Sequence, residues 1–339
     1  MTTLTRRGAL AGLSGVGAAA AFGVPALGAD KLVVGALRFT SHAPSFVALE
    51  RGYFDEAGLD VEFSFFQAAQ PMAVAIASGD VGFGVTAISG GLISLAEKGA
   101  VKVIGGGLQE EKGVDGQMIL ASNAAYDAGL TSPSVLKGKS FGMTTAGSSF
   151  HYMAAKIAAA EGFADDLRLV PLQKVGAIIG ALKSGQIDAW SIVPHIGKSL
   201  TGAGAAKQIG WVADYLPNYQ VTTVFTSAET ALNERAKAEA FIAAFARGAA
   251  DFNAALIDRT AGEDAAVEMT RLIHKYVYAD EAFETAAPKI VNGAMRMNEG
   301  AALNIASIED QLDWFKAEDL VPAGVTMETL VDSSYVAAI

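Results

Sequence analysis

The chain of 339 residues contains no cysteine. That excludes disulfides, a thiol nucleophile and a zinc-thiolate site, and it removes the residue on which a lipoprotein anchor is built. Basic residues are also scarce: 25 Lys and Arg stand against 36 Asp and Glu, a net charge of −11. Such a balance argues against nucleic acid or an anionic membrane as a partner. The signatures of common enzymes are missing too, with no Gly-x-Ser-x-Gly elbow, no phosphate-binding Gly-x-x-x-x-Gly-Lys-Ser/Thr loop and no Gly-rich dinucleotide turn. No catalysis and no cofactor are expected.

What is present begins with an export signal. Arg6 and Arg7 precede 22 uncharged residues, Gly8 to Ala29, of which 14 are Gly or Ala, and Pro25 interrupts the run. Burial of so small a set of side chains in lipid gives little energy, so the segment reads as a signal peptide rather than a membrane anchor. Thr5-Arg6-Arg7-Gly8-Ala9-Leu10 is similar to the twin-arginine motif, with Ala9 where a bulkier apolar residue is usual. Small residues at Ala26, Gly28 and Ala29 place cleavage near residue 29, leaving about 310 residues. Loss of Arg6 and Arg7 leaves 23 bases against 36 acids, or −13. An exported, unanchored protein that stays with its cell implies the periplasm of a Gram-negative bacterium.

From Lys31 onward short β-rich runs alternate with apolar helical stretches, which predicts an α/β protein with largely parallel sheets. One set of strands is expected at Leu32 to Phe39, Val61 to Phe66, Val81 to Val85 and Val101 to Gly105. A second is expected at Ser140 to Thr144, Leu167 to Pro171, Asp188 to Ile192 and Gln208 to Val212. Gln117 to Ala121 and Val221 to Thr226 could carry the chain from one lobe to the other and back. This gives a first lobe of residues 30–117 and 223–339 and a second of 118–222, after the signal at 1–29. Phe241, Ile242, Phe245, Ala249, Phe252 and Leu256 mark one buried helix face. Ala77-Ser78-Gly79-Asp80-Val81-Gly82-Phe83 and Lys183-Ser184-Gly185-Gln186-Ile187-Asp188-Ala189 echo one another, each placing Ser-Gly between a helix and a strand.

In open parallel sheets ligands bind beyond the carboxyl ends of the strands. Four such loops stand out: Ser41 and His42 after the first strand, Thr86, Ala87 and Ser89 after the third, Gly147-Ser148-Ser149 with His151 in the second lobe, and His195 after Val193-Pro194. The Gly-Ser-Ser turn opening a helix offers backbone N–H groups and hydroxyls to an anion or a polar oxygen, although a serine there is also an ordinary N-cap. Three of the four histidines fall in these loops, without the spacing of a metal motif and with few acids beside them, so no metal is expected. Glu110, Glu111 and Lys112 read as a solvated loop from which a cationic ligand could recruit a carboxylate. Among nearby aromatics, Trp190 can cover the apolar part of a ligand or serve the core, whereas Phe39 and Phe66 read chiefly as core.

In order and spacing, several phrases resemble the periplasmic substrate-binding proteins of the sulfonate, nitrate, taurine and thiamine-pyrimidine-precursor (NMT1/THI5-like) group of ABC importers. They are Ala43-Pro44-Ser45-Phe46-Val47-Ala48-Leu49-Glu50-Arg51-Gly52-Tyr53-Phe54, Gly58-Leu59-Asp60-Val61, Ser78-Gly79-Asp80-Val81-Gly82-Phe83-Gly84, Leu136-Lys137-Gly138-Lys139 ahead of Gly147-Ser148-Ser149, and Gly185-Gln186-Ile187-Asp188-Ala189-Trp190. The resemblance implies a type II periplasmic-binding fold, two doubly wound lobes joined by a two-segment hinge. It implies capture of a small molecule by hinge closure and delivery, by a monomer, to an ABC permease in the inner membrane. It also implies that Thr86, Ala87 and the Gly147-Ser148-Ser149 turn hold an anionic head, a sulfonate or carboxylate. The chain departs from that pattern in His42 and in having no Arg in the four loops. A thiamine-pyrimidine precursor bound by stacking and a carboxylate is the alternative. A pyrimidine-synthesis enzyme of the same fold fits less well, because such enzymes lean on a cysteine-rich segment.

Overall fold

The computed structural model describes residues 31–339; the expected export segment, residues 1–29, lies outside the described residues. The strands are β1 Leu32–Ala36, β2 Val61–Phe65, β3 Phe83–Thr86, β4 Val101–Gly106, β5 Met118–Ala121, β6 Ser140–Met143, β7 Arg168–Pro171, β8 Ala189–Ile192, β9 Lys207–Trp211 and β10 Thr223–Ser227. Every β-rich run expected from the sequence is one of them, with small shifts at the ends. The first strand stops early because Phe39 turns into a short 3-10 helix, Thr40–His42, which leads into helix Ala43–Glu50.

Two five-stranded sheets result, ordered β2-β1-β3-β10-β4 and β7-β6-β8-β5-β9. In each, four strands run in one direction and the fourth slot is filled by an antiparallel strand, β10 or β5, that enters from the other half of the chain. The two sheets share one plan. The paired Ser-Gly phrases serve it alike: Gly79 (φ +87°) and Gly185 (φ +73°) both take the left-handed conformation that ends a helix and starts the next strand. The fold is α/β of the type II periplasmic-binding class.

Helices pack on the sheets, and the central strands β3, β5, β6 and β8 are buried throughout. Neighbours on β10 alternate, with Val224 packing into one core layer and Phe225 into the other. The helical span Arg235–Ile257 is long and apolar enough to cross a membrane by length and composition, yet in its helix Arg235–Phe252 residues Phe241, Ile242, Phe245, Ala249 and Phe252 are all buried. It packs on helix Ala43–Glu50 at Gly248, where a Cβ would strike the Pro44 carbonyl. That close approach sets the helix that begins at His42.

The chain passes between lobes twice, and the two passages pair. Gly107 N–H donates to Thr222 O (2.9 Å), Val221 N–H to Leu108 O (2.8 Å) and Glu110 N–H to Tyr219 O (2.9 Å). Beside them the buried Gln220 amide uses its full capacity. Its Nε2 donates to Leu108 O (3.2 Å) and Thr222 O (2.9 Å), and its Oε1 accepts from Asn298 Nδ2 (2.9 Å) and Asn304 N–H (3.0 Å). Replacing it by Gln220→Leu strands several of these partners without water, at about 1–3 kcal/mol for each group left unsatisfied. Urea unfolding is expected to show a loss of at least about 2 kcal/mol; an unchanged midpoint contradicts this role.

Candidate functional site

A cleft lies where the carboxyl ends of β1, β3, β6 and β8 face one another across the lobes. Its cavity volume is about 60 Å³. Ser41 and His42 line it after β1, Thr86 and Ala87 after β3, and Thr144, Ser148 and Ser149 after β6. Gln117 and Thr222, at the ends of the crossing ribbon, form its floor. No Asp, Glu, Lys or Arg lines it.

Helix openings supply the charge that side chains do not. Ala69, Ser149 and Val175 each begin a helix, and Val193 caps a fourth. The turn through Ser41 and His42 feeds a fifth. Each such end carries roughly half a positive charge on N–H groups that have no carbonyl within the helix. At Ser149 the economy of bonds is explicit. Gly147 N–H goes to His151 Nδ1 (3.1 Å), and Ser148 Oγ caps His151 N–H (3.4 Å). The N–H groups of Ser149 and Phe150 and the Ser149 hydroxyl remain for a ligand, beside the Thr86 hydroxyl.

His42 contributes a neutral donor. Leu37 N–H donates to its Nδ1 (3.3 Å), so the ring proton sits on Nε2, on the ring that lines the cleft. Burial pushes its imidazole from 6.5 down to about 3.

Five of the expected site residues lie outside this lining. Ser89 caps helix Gly90–Glu97 through Leu92 N–H (3.2 Å). Gly147 (φ +72°) accepts from Gly90 N–H at 2.8 Å, bridging the lobes at the cleft mouth. His151 turns its ring onto Trp314, 5.0 Å between centroids. Trp190 is 0% exposed, packed on Phe150 behind the cleft. His195 is buried against Phe39 and Tyr278. Conversely, Phe39 and Phe150 present their rings to the cleft. Gln117 and Thr222 were the polar residues interrupting the β-rich crossings, and that interruption was the signal that could have marked them.

The acidic loop corrects a sequence expectation. Glu110 is 0% exposed and not solvated, because the crossing ribbon draws it inward, where it accepts from Gln117 N–H (3.0 Å). Glu111 does lie outside and pairs with Arg296 (2.6 Å). Burial raises the Glu110 carboxyl from 4.5 to about 7, the bond from Gln117 opposing it. A carboxyl with a raised folded value gives stability that is full below 4.5 and lost as pH rises through 7. His42 acts in the other sense: its neutral form keeps stability above 6.5 that is lost as pH falls toward 3. Glu110→Gln is therefore expected to unfold later in urea than the parent at pH 8, by on the order of 2 kcal/mol, and to lose that advantage at pH 4.5. A variant equally destabilised at both pH values contradicts the assignment.

Comparison with known proteins bears on the fold. Among solved structures, the aliphatic sulphonate-binding protein SsuA of Escherichia coli matches with a TM-score of 0.68 at 16% identity, over 92% of this chain and 94% of its own. The alkanesulfonate-binding SsuA of Xanthomonas axonopodis, solved with MOPS, gives 0.67 at 17%, over 90% and 98%. The nitrate-binding protein NrtA of Synechocystis gives 0.69 at 13%, over 88% and 83%. At such identities the likeness speaks to the fold. No curated protein matches the sequence. The family model described as NMT1/THI5 like matches residues 39–255, well over half of the chain, and the chain belongs to the NMT1/THI5-like family.

Proposed function

We propose that the chain is the exported solute-binding component of an ABC import system. It captures a small anionic organic solute, a sulfonate or carboxylate, between its lobes and, as a monomer, hands it to a permease in the inner membrane. The observation that carries the reading is the convergence of helix openings on a cleft lined by no charged side chain. Such a site favours negative charge through fixed N–H dipoles and offers a cation no carboxylate. Ser149 and Phe150 N–H would hold the acidic head with Thr86, Ser149 and the His42 Nε2–H, while Phe39 and Phe150 cover the rest.

The phenylalanines favour an aromatic body as a second reading, including a thiamine-pyrimidine precursor. The carboxylate that such a ligand would recruit is not in the lining, since Glu110 is sealed behind Gln117.

Ligand-linked stabilisation tests the reading. Ethanesulfonate, benzenesulfonate and benzoate at millimolar concentration are expected to raise the melting temperature, and choline is not. Thr86→Val should weaken the best anion about 5- to 30-fold by calorimetry, the equivalent of about 1–2 kcal/mol. Stabilisation by choline alone would overturn the anion assignment. For export, mass spectrometry of the protein from a periplasmic fraction is expected to show an N-terminus at or near Asp30. Intact Met1 in a cytoplasmic fraction would overturn that part.

A further inference from the structure

His195 belongs to the second lobe, at the opening of helix Pro194–Gly202, but its ring rests on the first. Phe39 meets it edge-on with centroids 5.3 Å apart, and Tyr278 at 5.6 Å. Gly293 approaches so closely that a Cβ there would have no room beside His195. Tyr278 and Gly293 flank helix Phe283–Asn292, which packs on helix Glu263–His274 and through it on helix Ala43–Glu50. All three contacts therefore come from the far side of the cleft.

The hydrogen bonds fix the ring's state. Tyr278 Oη lies 3.0 Å from the His195 carbonyl and 3.0 Å from its Nδ1. A carbonyl only accepts, so the tyrosine proton goes there, and Nδ1 carries the ring proton and donates to Oη. Nε2 is bare, buried and without a hydrogen-bond partner among the described residues. A second proton would put a charge and an unmet N–H into this position. The groups facing it offer no relief. His42 stands across Phe39, Lys289 sits 4.9 Å over the Tyr278 ring with Glu281 as its own partner (2.5 Å), and Lys198 on the same helix holds Asp115 (2.5 Å).

We propose that His195 makes closure of the cleft proton-dependent: the closed form holds the ring neutral, opening returns it to water, and protons therefore favour the open form and compete with any ligand that closes the lobes. Burial pushes this imidazole down to about 3, and His42 adds in the same direction. An imidazole in water titrates near 6.5. Below that value, ligand affinity falls by up to about tenfold per pH unit for this group, and ligand release takes up a proton. The inference rests on hinge closure as proposed above, and not on which solute is bound.

The cysteine-free chain permits a test without ligand. Val175 N–H reaches Gln67 O across the cleft mouth at 3.5 Å, so a Gln67→Cys/Val175→Cys pair, oxidised, locks the lobes together. In histidine-labelled protein followed by NMR from pH 7.5 to 5, His195 is expected to stay neutral in the locked form and to titrate, with its midpoint displaced toward 6.5, after reduction. Identical titration in both forms overturns the proposal. If the cysteine pair does not oxidise, small-angle X-ray scattering gives the second measurement: the parent should expand between pH 7.5 and 5.0 more than His195→Gln does. Equal behaviour of the two proteins overturns it as well.

Discussion

The structure hangs on the pairing of Gly107–Glu110 with Tyr219–Thr222. These two short segments are the covalent links between the lobes, and they bond to each other before each enters the opposite sheet as β5 or β10. The Gln220 side chain adds four further hydrogen bonds to the ribbon and the segments beside it. A ribbon so satisfied can twist as a unit while each sheet stays rigid, the usual arrangement for hinge closure around a ligand. It also explains why Glu110 is driven inward and why Gln117 and Thr222 form the floor of the cleft.

With the floor set by the ribbon, the walls follow from strand direction. Parallel strands present their carboxyl ends, and thus the openings of the helices that follow, to the same side. The partial positive charges of those openings need no side-chain ordering, unlike an arginine that must be held in place. Neutral donors hold an anion less tightly than a buried guanidinium would, which suits a protein that must release its ligand. Contacts also cross the cleft, Gly90 with Gly147, Tyr152 and Lys156 with Asp310, and His195 with Tyr278.

The fold was legible because its signals are local. Period and β-rich composition located each strand, and Gly79 and Gly185 marked matching helix ends through a backbone conformation that glycine favours. The resemblance carried in Ala43–Phe54 and in the Ser-Gly-Asp phrase pointed to the same architecture. The site was legible only in part. Ser41, His42, Thr86, Ala87, Ser148 and Ser149 line the cleft at or after the carboxyl ends of their strands, the place that strand direction marks. Trp190 within β8, and His151 and His195 in the first turns of their helices, point elsewhere, since side-chain direction depends on partners distant in sequence: Phe150, Trp314 and Tyr278. Glu110 was misread because its burial depends on the chain folding back at Gly116 and Gln117 and on pairing with Tyr219, which the charged run Glu110-Glu111-Lys112 does not signal.

The central claim is that fixed backbone dipoles, and no charged side chain, hold the ligand's acidic group. A crystal structure of the protein with a stabilising sulfonate or carboxylate tests it most directly. The account predicts the acidic oxygens within hydrogen-bond distance of the Ser149 and Phe150 N–H groups, with no Lys or Arg in contact. An acidic group seated on a basic side chain, or bound outside the cleft, would contradict it.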